Sequence, residues 1–216
     1  VGSQDLQDAL WRSWLGDARS DSYLKISASS KLSELALHNQ RISSALMEDV
    51  SHIEIALRNV LSAAMKARYS SPEHSWLDDP SGELAILGGK NMVGRIGLAK
   101  NRLLQQKKSF TDADLVAELS LGFWVVLMSK RLLPINIDLL GAFSGLDRRS
   151  LPKLRASLNE LKNLRNRVAH QHRVIHRNLE SDYRSLITLA QWIHPDLGDF
   201  VRNNSRVLDC IAELPK

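Results

Sequence analysis

Seven apolar residues, Ile42, Leu46, Val50, Ile53, Leu57, Val60 and Ala64, recur at near-heptad spacing along one stretch of this chain. In a strand that spacing would scatter them over both faces, whereas in an α-helix it gathers them into one stripe. The pattern predicts a long helix over 39–69, and an apolar stripe of that length has to be covered by other helices.

The remaining sequence supplies them. Residues 4–15 read as a short amphipathic helix with Leu6, Leu10 and Trp14 on one side, followed by a turn over 16–22. Leu32, Leu35 and Ala36 belong to a second helix, ahead of the long one. The segment 70–81, with two prolines and paired aspartates, is the clearest loop. A helix over 83–108 is weakened by Gly88, Gly89, Gly94 and Gly97, which match no phosphate-binding or dinucleotide fingerprint. Thr111 is suited to cap the next helix, with Asp114 in the reciprocal position, and Leu115, Leu119, Phe123, Trp124 and Leu127 make that helix core-like. Pro134 stops it and leads to a short helix over 137–143. Another helix starts near Ser150, with Pro152 tolerated in its first turn, and helices over 181–193 and 199–214 close the chain. Strand signals are nearly absent. The fold class is therefore all-α, a helical bundle in a single domain, with a helix and turn over 1–22 and the main helical domain over 23–214.

Composition sets the outer limits. A chain of 216 residues buries a full core as one domain, and a charged fraction of 25% is that of a soluble globular protein. One cysteine, Cys210, excludes an internal disulfide framework and fits a reducing cytosol. It sits among core-like Val207, Leu208 and Ile211, which argues against a nucleophilic role. No apolar run reaches membrane-spanning length and the N-terminus has no signal-peptide character, so a cytoplasmic location without membrane contact is expected.

The net charge of +5 is unevenly spread. Lys90, Arg95, Lys100, Arg102, Lys107 and Lys108 occupy one block without an acidic residue, and a second block from Arg148 to Arg177 is opposed only by Glu160. Two basic blocks suggest a phosphate-bearing partner. The second contains Leu161-Lys162-Asn163-Leu164-Arg165-Asn166-Arg167-Val168-Ala169-His170, followed by Gln171-His172-Arg173. Leu154, Leu158, Leu161 and Val168 form a helical stripe in which Arg165 takes a leucine's place, so its guanidinium needs anionic or carbonyl partners if it is buried. A second face of the same helix is read as Asn159, Asn163, Asn166, His170, Arg173 and Arg177. His172 and His176 lie four apart, but no carboxylate or cysteine accompanies them, and neither a metal nor another cofactor is expected.

Arg165, Asn166 and His170, at Arg-x4-His spacing, resemble the signature of the HEPN superfamily. More narrowly, the chain from about Tyr23 to about Leu197 is similar to the Abi-like (abortive infection) proteins of bacteria. The similar segments, in order, are ALHNQRISSALMEDVSHIEIALRN from Ala36, ELSLGFWVVLM from Glu118, LRNRVAH, and LAQWIHPDL from Leu189. The chain departs from the family where Gln171 separates His170 from His172 and where His38, not an aromatic residue, precedes Asn39.

The resemblance implies a HEPN-like helical bundle and a metal-independent endoribonuclease acting in phage defence or as a toxin; an antitoxin protein is a candidate partner whose existence the sequence does not decide. It assigns catalysis to Arg165, Asn166 and His170, with Arg165 on phosphate, His170 in proton transfer and Asn166 orienting. It also implies a homodimer whose two motifs face one cleft, with the partner supplying the second histidine. Arg167, His172, Arg173 and Arg177 are the candidate RNA-binding residues. Glu54, Arg58 and Asn59 are candidates for support: Glu54 and Arg58 are spaced for an intrahelical pair, while the resemblance implies that Arg58 and Asn59 approach the motif helix. Cleaving RNA without metal needs a base for the 2′-hydroxyl, an acid for the leaving 5′-oxygen and a cation beside the phosphorane, and histidine and arginine suit those roles. The alternative is a catalytically inactive HEPN-like dimer that binds RNA or a partner protein through the same face. On an ideal helix Arg165 and His170 would lie about 140° apart around the axis, so their shared site is unexplained by sequence.

Overall fold

A computed structural model describes residues 3–26, 30–79, 82–106, 109–147 and 150–214 of the chain, with the side chains of residues 3–5 and 90 left aside. All of its regular structure among those residues is helical: α1 (Ser3–Leu15), α2 (Asp17–Leu24), α3 (Leu32–Tyr69), α4 (Glu83–Gly88), α5 (Lys90–Gln106), α6 (Asp112–Glu118), α7 (Leu121–Leu127), α8 (Leu133–Leu139), α9 (Leu151–Ala169), α10 (Leu179–Ile193), α11 (Pro195–Asn204) and α12 (Val207–Ala212), with short 3-10 turns between some of them.

The long helix is the axis of the bundle. The segment around Leu32, Leu35 and Ala36 is continuous with it, giving 38 residues in one helix. Helices α1, α2, α6, α7, α8, α9, α10, α11 and α12 all pack against it. Its buried stripe runs Leu35, Asn39, Ile42, Leu46, Val50, Ile53, Leu57, Leu61 and Met65. Val60 and Ala64, expected in that stripe, are only partly buried. The cause is geometric: a straight helix of 3.6 residues per turn drifts about 20° per heptad, so a long contact line slips by one position.

Other expected helices are shorter than their patterns suggested. Gly89 at φ 68 separates α4 from α5. Leu119 and Ser120 leave the helical region between α6 and α7, although Thr111 and Asp114 form the full capping box that opens α6. Pro134 lies in the first turn of α8 and Pro195 starts α11, because a ring without an N–H is tolerated there. Gly198 lies inside α11, where a β-carbon would collide with the Gln191 side chain, and Gly145 meets the Gln191 carbonyl in the same way. The two glycines let α11 and the 143–146 turn close on α10.

The position of α9 is set from both sides. Leu151, Leu154, Leu158, Leu161, Leu164 and Val168 are buried. Arg155 reaches across to α7 and α8, where Nε donates to the Met128 carbonyl at 2.9 Å and Nη2 donates to Asn136 Oδ1 at 2.6 Å. Asn136, fully buried, donates through Nδ2 to the Leu127 carbonyl at 2.7 Å. These bonds satisfy carbonyls that the end of α7 leaves without intrahelical partners. Trp76, Phe123 and Trp124 fill the neighbouring core with ring centroids 5.1–6.4 Å apart.

The amphipathic reading of α1 holds in pattern but not in orientation. Leu6, Leu10 and Trp14 are 64%, 48% and 65% exposed. Trp11 and Leu15 pack inward instead, and the Asp8 carboxylate accepts from the Ser33 backbone N–H at 3.3 Å.

Candidate functional site at the end of helix α9

The motif helix ends sooner than its periodicity suggested. It stops at Ala169, with His170 as its C-cap, and the next residue, Gln171, takes the left-handed conformation at φ 53. The Gln171 N–H bonds to the Val168 carbonyl at 3.1 Å and the His172 N–H to the Arg167 carbonyl at 2.9 Å. This pairing is the hydrogen-bond closure of a left-handed helix terminus, at a position where glycine is the common choice. Arg173 and Arg177 therefore do not continue a face of α9, and His172 and His176 do not share a helical face. They lie on a loop over 170–178 that turns back toward α3.

What holds that loop is Asn39. Its side chain is 2% exposed, and Oδ1 accepts from the Val174 N–H at 2.6 Å and from the Ile175 N–H at 3.4 Å. Its Nδ2 donates to the His172 carbonyl at 3.4 Å. Val174 and Ile175 are buried beside it. A polar side chain in an otherwise apolar stripe was the sequence signal for this role, since buried amides occur where they find partners.

His170 is the C-cap of α9, the last position before the chain turns at Gln171. Its ring lies 6.2 Å from that of His172 at 87°, and both residues are exposed. Two imidazoles thus stand together in one protomer, where the second had been expected from a partner.

Arg165 is not part of the buried stripe. Leu164 takes the inward position and the Arg165 side chain is 35% exposed, with Nε 3.5 Å from Glu54 Oε2 on α3. Glu54 therefore pairs with the motif helix and not with Arg58. Arg58 instead donates to the Ala117 carbonyl of α6 at 3.4 Å. Asn59 is exposed on α3, and Asn166 is exposed on α9.

The four RNA-binding candidates divide. His172 joins His170. Arg167, half-buried, donates to the Arg173 carbonyl at 3.4 Å and so braces the loop. Arg177 forms a two-pronged pair with Asp182 at the start of α10, Nε to Oδ2 at 2.6 Å and Nη2 to Oδ1 at 2.7 Å, and is thereby occupied. Arg173 is half-buried, and its Nη1 is buried without a hydrogen-bond partner among the described residues. The His176 imidazole is held below its ordinary pKa, first by partial desolvation and then by the charges of Arg173, Arg167 and Arg177, against which Asp182 pulls upward.

Of the first basic block, Lys100 is bound to Asp78 at 2.5 Å and Arg102 to Glu118 at 2.6 Å, while Lys107 and Lys108 lie outside the described residues. Its charge is partly spent within the fold. Among the described residues, no group of three or more His, Cys, Asp or Glu side chains converges as a metal site would require. No helix of the described residues is long and apolar enough to cross a membrane.

Sequence reading missed Asp182, which captures Arg177, and the Asp49 carboxylate. Asp49 is 3% exposed, accepts from the Ser205 hydroxyl at 2.7 Å, and is pushed up to about 6 by burial despite that bond. Both are acids set among helical apolar residues, and only the fold pairs them. Comparison of the chain with family models, with curated proteins and with solved structures returns no match.

Proposed function

We propose that this chain is a metal-independent endoribonuclease whose acid and base are His170 and His172. The observation that carries the reading is the exposed imidazole pair, 6.2 Å between centroids, at the helix end that also bears Arg165 and Asn166. One imidazole takes the proton of the 2′-hydroxyl, and the freed oxygen attacks the adjacent phosphorus. The other protonates the 5′-oxygen as the P–O5′ bond breaks, leaving a 2′,3′-cyclic phosphate and a 5′-hydroxyl. A group with a pKa near neutrality serves either transfer. Arg165, oriented by Glu54, lies on the same helix to meet the negative charge that builds on the phosphorane, and Asn166 supplies an amide beside it.

The resemblance to the Abi-like proteins supports the same chemistry, links it to phage defence or toxicity, and favours a homodimer that brings two such helix ends to one cleft. A second reading, an RNA-binding dimer without cleavage, draws support from the Glu54–Arg165 pair, because the guanidinium is already engaged by an anion.

The deciding experiment is cleavage of RNA by purified protein in the presence of chelator, with wild type, His170→Ala and His172→Ala side by side. Each alanine variant is expected to lose on the order of 100-fold or more in rate. Wild-type protein that binds RNA but leaves it intact refutes the nuclease reading. Light scattering at micromolar concentration tests the dimer separately.

A further inference from the structure

The basic block that contains the motif holds a single acid, Glu160, and the fold leaves that acid uncommitted. Glu160 is exposed on α9, and no hydrogen bond or ion pair engages its carboxylate among the described residues. It lines a cleft of about 260 Å³ between α9 and α10. Leu161 and Leu164 of α9 and Leu186 and Leu189 of α10 form the floor, and all four are buried. Well-packed helices leave few such gaps. This one stays open because Ser157, Ser181 and Ser185 line it, where longer side chains would fill the seam. Arg177 and Asp182 also line it, but each already satisfies the other. Among the described residues, Glu160 is thus the charge in the cleft left to meet a ligand, with the Asn163 amide one turn further along α9.

An apolar floor with a few polar groups beside it is the pattern of a ligand pocket, and the volume lies just under the range of about 300–1,000 Å³ that larger ligands occupy. The cleft admits one flat heterocycle and not a whole nucleotide. A carboxylate only accepts hydrogen bonds, through two oxygens side by side. Of the four RNA bases, guanine alone places two donors, N1–H and N2–H, next to each other on the edge that proteins read in single strands. Adenine and cytosine offer an amino donor beside an acceptor, and uracil offers one N–H between two acceptors.

We propose that this cleft is a guanine pocket, in which Glu160 accepts from N1–H and N2–H, Asn163 donates to O6, and the leucines meet the ring. The inference rests on the ribonuclease reading for the strand that carries the base. Glu160 precedes His170 by about 15 Å along the axis of α9, and Arg177, at the wall of the cleft, belongs to the loop that bears His172. The guanine therefore flanks the cleaved linkage and sets where along a strand the imidazole pair acts.

The test measures binding of the full chain to 2′-O-methyl decamers, which have no 2′-hydroxyl to attack. Each decamer is oligouridine with a central guanine, inosine, adenine or uracil. Guanine is expected to bind at least about tenfold more tightly than uracil, the scale of one two-pronged contact to a base edge. Inosine, which keeps N1–H and lacks the N2 amine, should fall between them. Glu160→Gln replaces two acceptors by one acceptor and one donor, so it should abolish the guanine preference and shift it toward adenine. Glu160 bonds to nothing else, so the melting temperature of this variant should equal that of wild type. Ser185→Leu fills the cleft from the α10 side without altering Glu160, and should abolish the preference as well.

Equal binding of the guanine and uracil decamers would overturn the pocket, and cleavage of unmodified RNA in chelator by the same protein would leave the nuclease standing. A guanine preference that survives both substitutions would place base recognition elsewhere and overturn it too. Binding of free GMP that both substitutions abolish, without any advantage of the guanine decamer, would assign the cleft to a free nucleotide and overturn the strand path. A guanine preference that both substitutions remove, with the unmodified decamer left uncleaved in chelator, would refute the nuclease and leave the pocket in place.

Discussion

Removing the Asn39 side chain isolates what the closure of α9 depends on. In Asn39→Ala the Val174 N–H loses its 2.6 Å acceptor and is left in a fully buried position. An unmet buried donor costs about 1–3 kcal/mol. The contacts at 3.4 Å to Ile175 and His172 are long for strong bonds and add less, about 1 kcal/mol together. The expected loss is about 2–4 kcal/mol, which for a chain of this size is a fall in Tm of roughly 4–16 °C. Asn39→Leu keeps the volume and removes the hydrogen bonds, so it separates the polar contribution from that of a cavity. The assay is urea unfolding of both variants together with amide hydrogen exchange at Val174 and Ile175. A loss below about 1 kcal/mol in both variants, with those two amides still protected, would refute the argument that Asn39 organises the loop.

Asp49 makes stability depend on pH. Its pKa is raised by burial from 3.8 to about 6, so the protonated form is the one the fold prefers; its stabilising effect is complete below about 3.8 and is lost as pH rises through about 6. Asp49→Asn should therefore gain up to about 3 kcal/mol at pH 7.5 and almost nothing near pH 4 in chemical denaturation, and an equal gain at both pH values would sink the assignment. Arg165→Ala should cost no more than about 1 kcal/mol, because the pair with Glu54 is a third exposed on the arginine side, while RNA cleavage falls sharply. A stability loss well above that would return Arg165 to the core role that its place in the leucine stripe suggested. Gly145→Ala should destabilise by about 1–3 kcal/mol, since its β-carbon meets the Gln191 backbone carbonyl, and a neutral result in thermal melting would show that α10 can retreat.

Periodicity alone identified most of the helices and inward faces, because burying apolar side chains is a local demand repeated every few residues; it did not find α2, a helix where a turn over 16–22 was expected, nor the outward face of α1. The class of the fold, the capping box at Thr111 and the leucine stripe of α9 were legible for that reason. Breaks within apolar runs were not, since Gly89 and the Leu119–Ser120 kink depend on what each half packs against. The same limit applied at α1, whose stripe is plain in sequence while its exposure is a property of the assembled bundle.

For the candidate site, sequence determined which reactive groups stand close along the chain: Arg165, Asn166, His170 and His172 sit within eight positions, and no rearrangement of the fold separates them far. Only the tertiary structure decided their state. Glu54 reaches Arg165 across two helices, Asp182 removes Arg177 from the available cations, and Asn39 fixes the loop from a point 133 residues away from His172. Each of these partners is chosen by distance in space. A charge or an amide carries no mark in sequence of which distant group will satisfy it, and the pairing appears only once packing has brought the helices together.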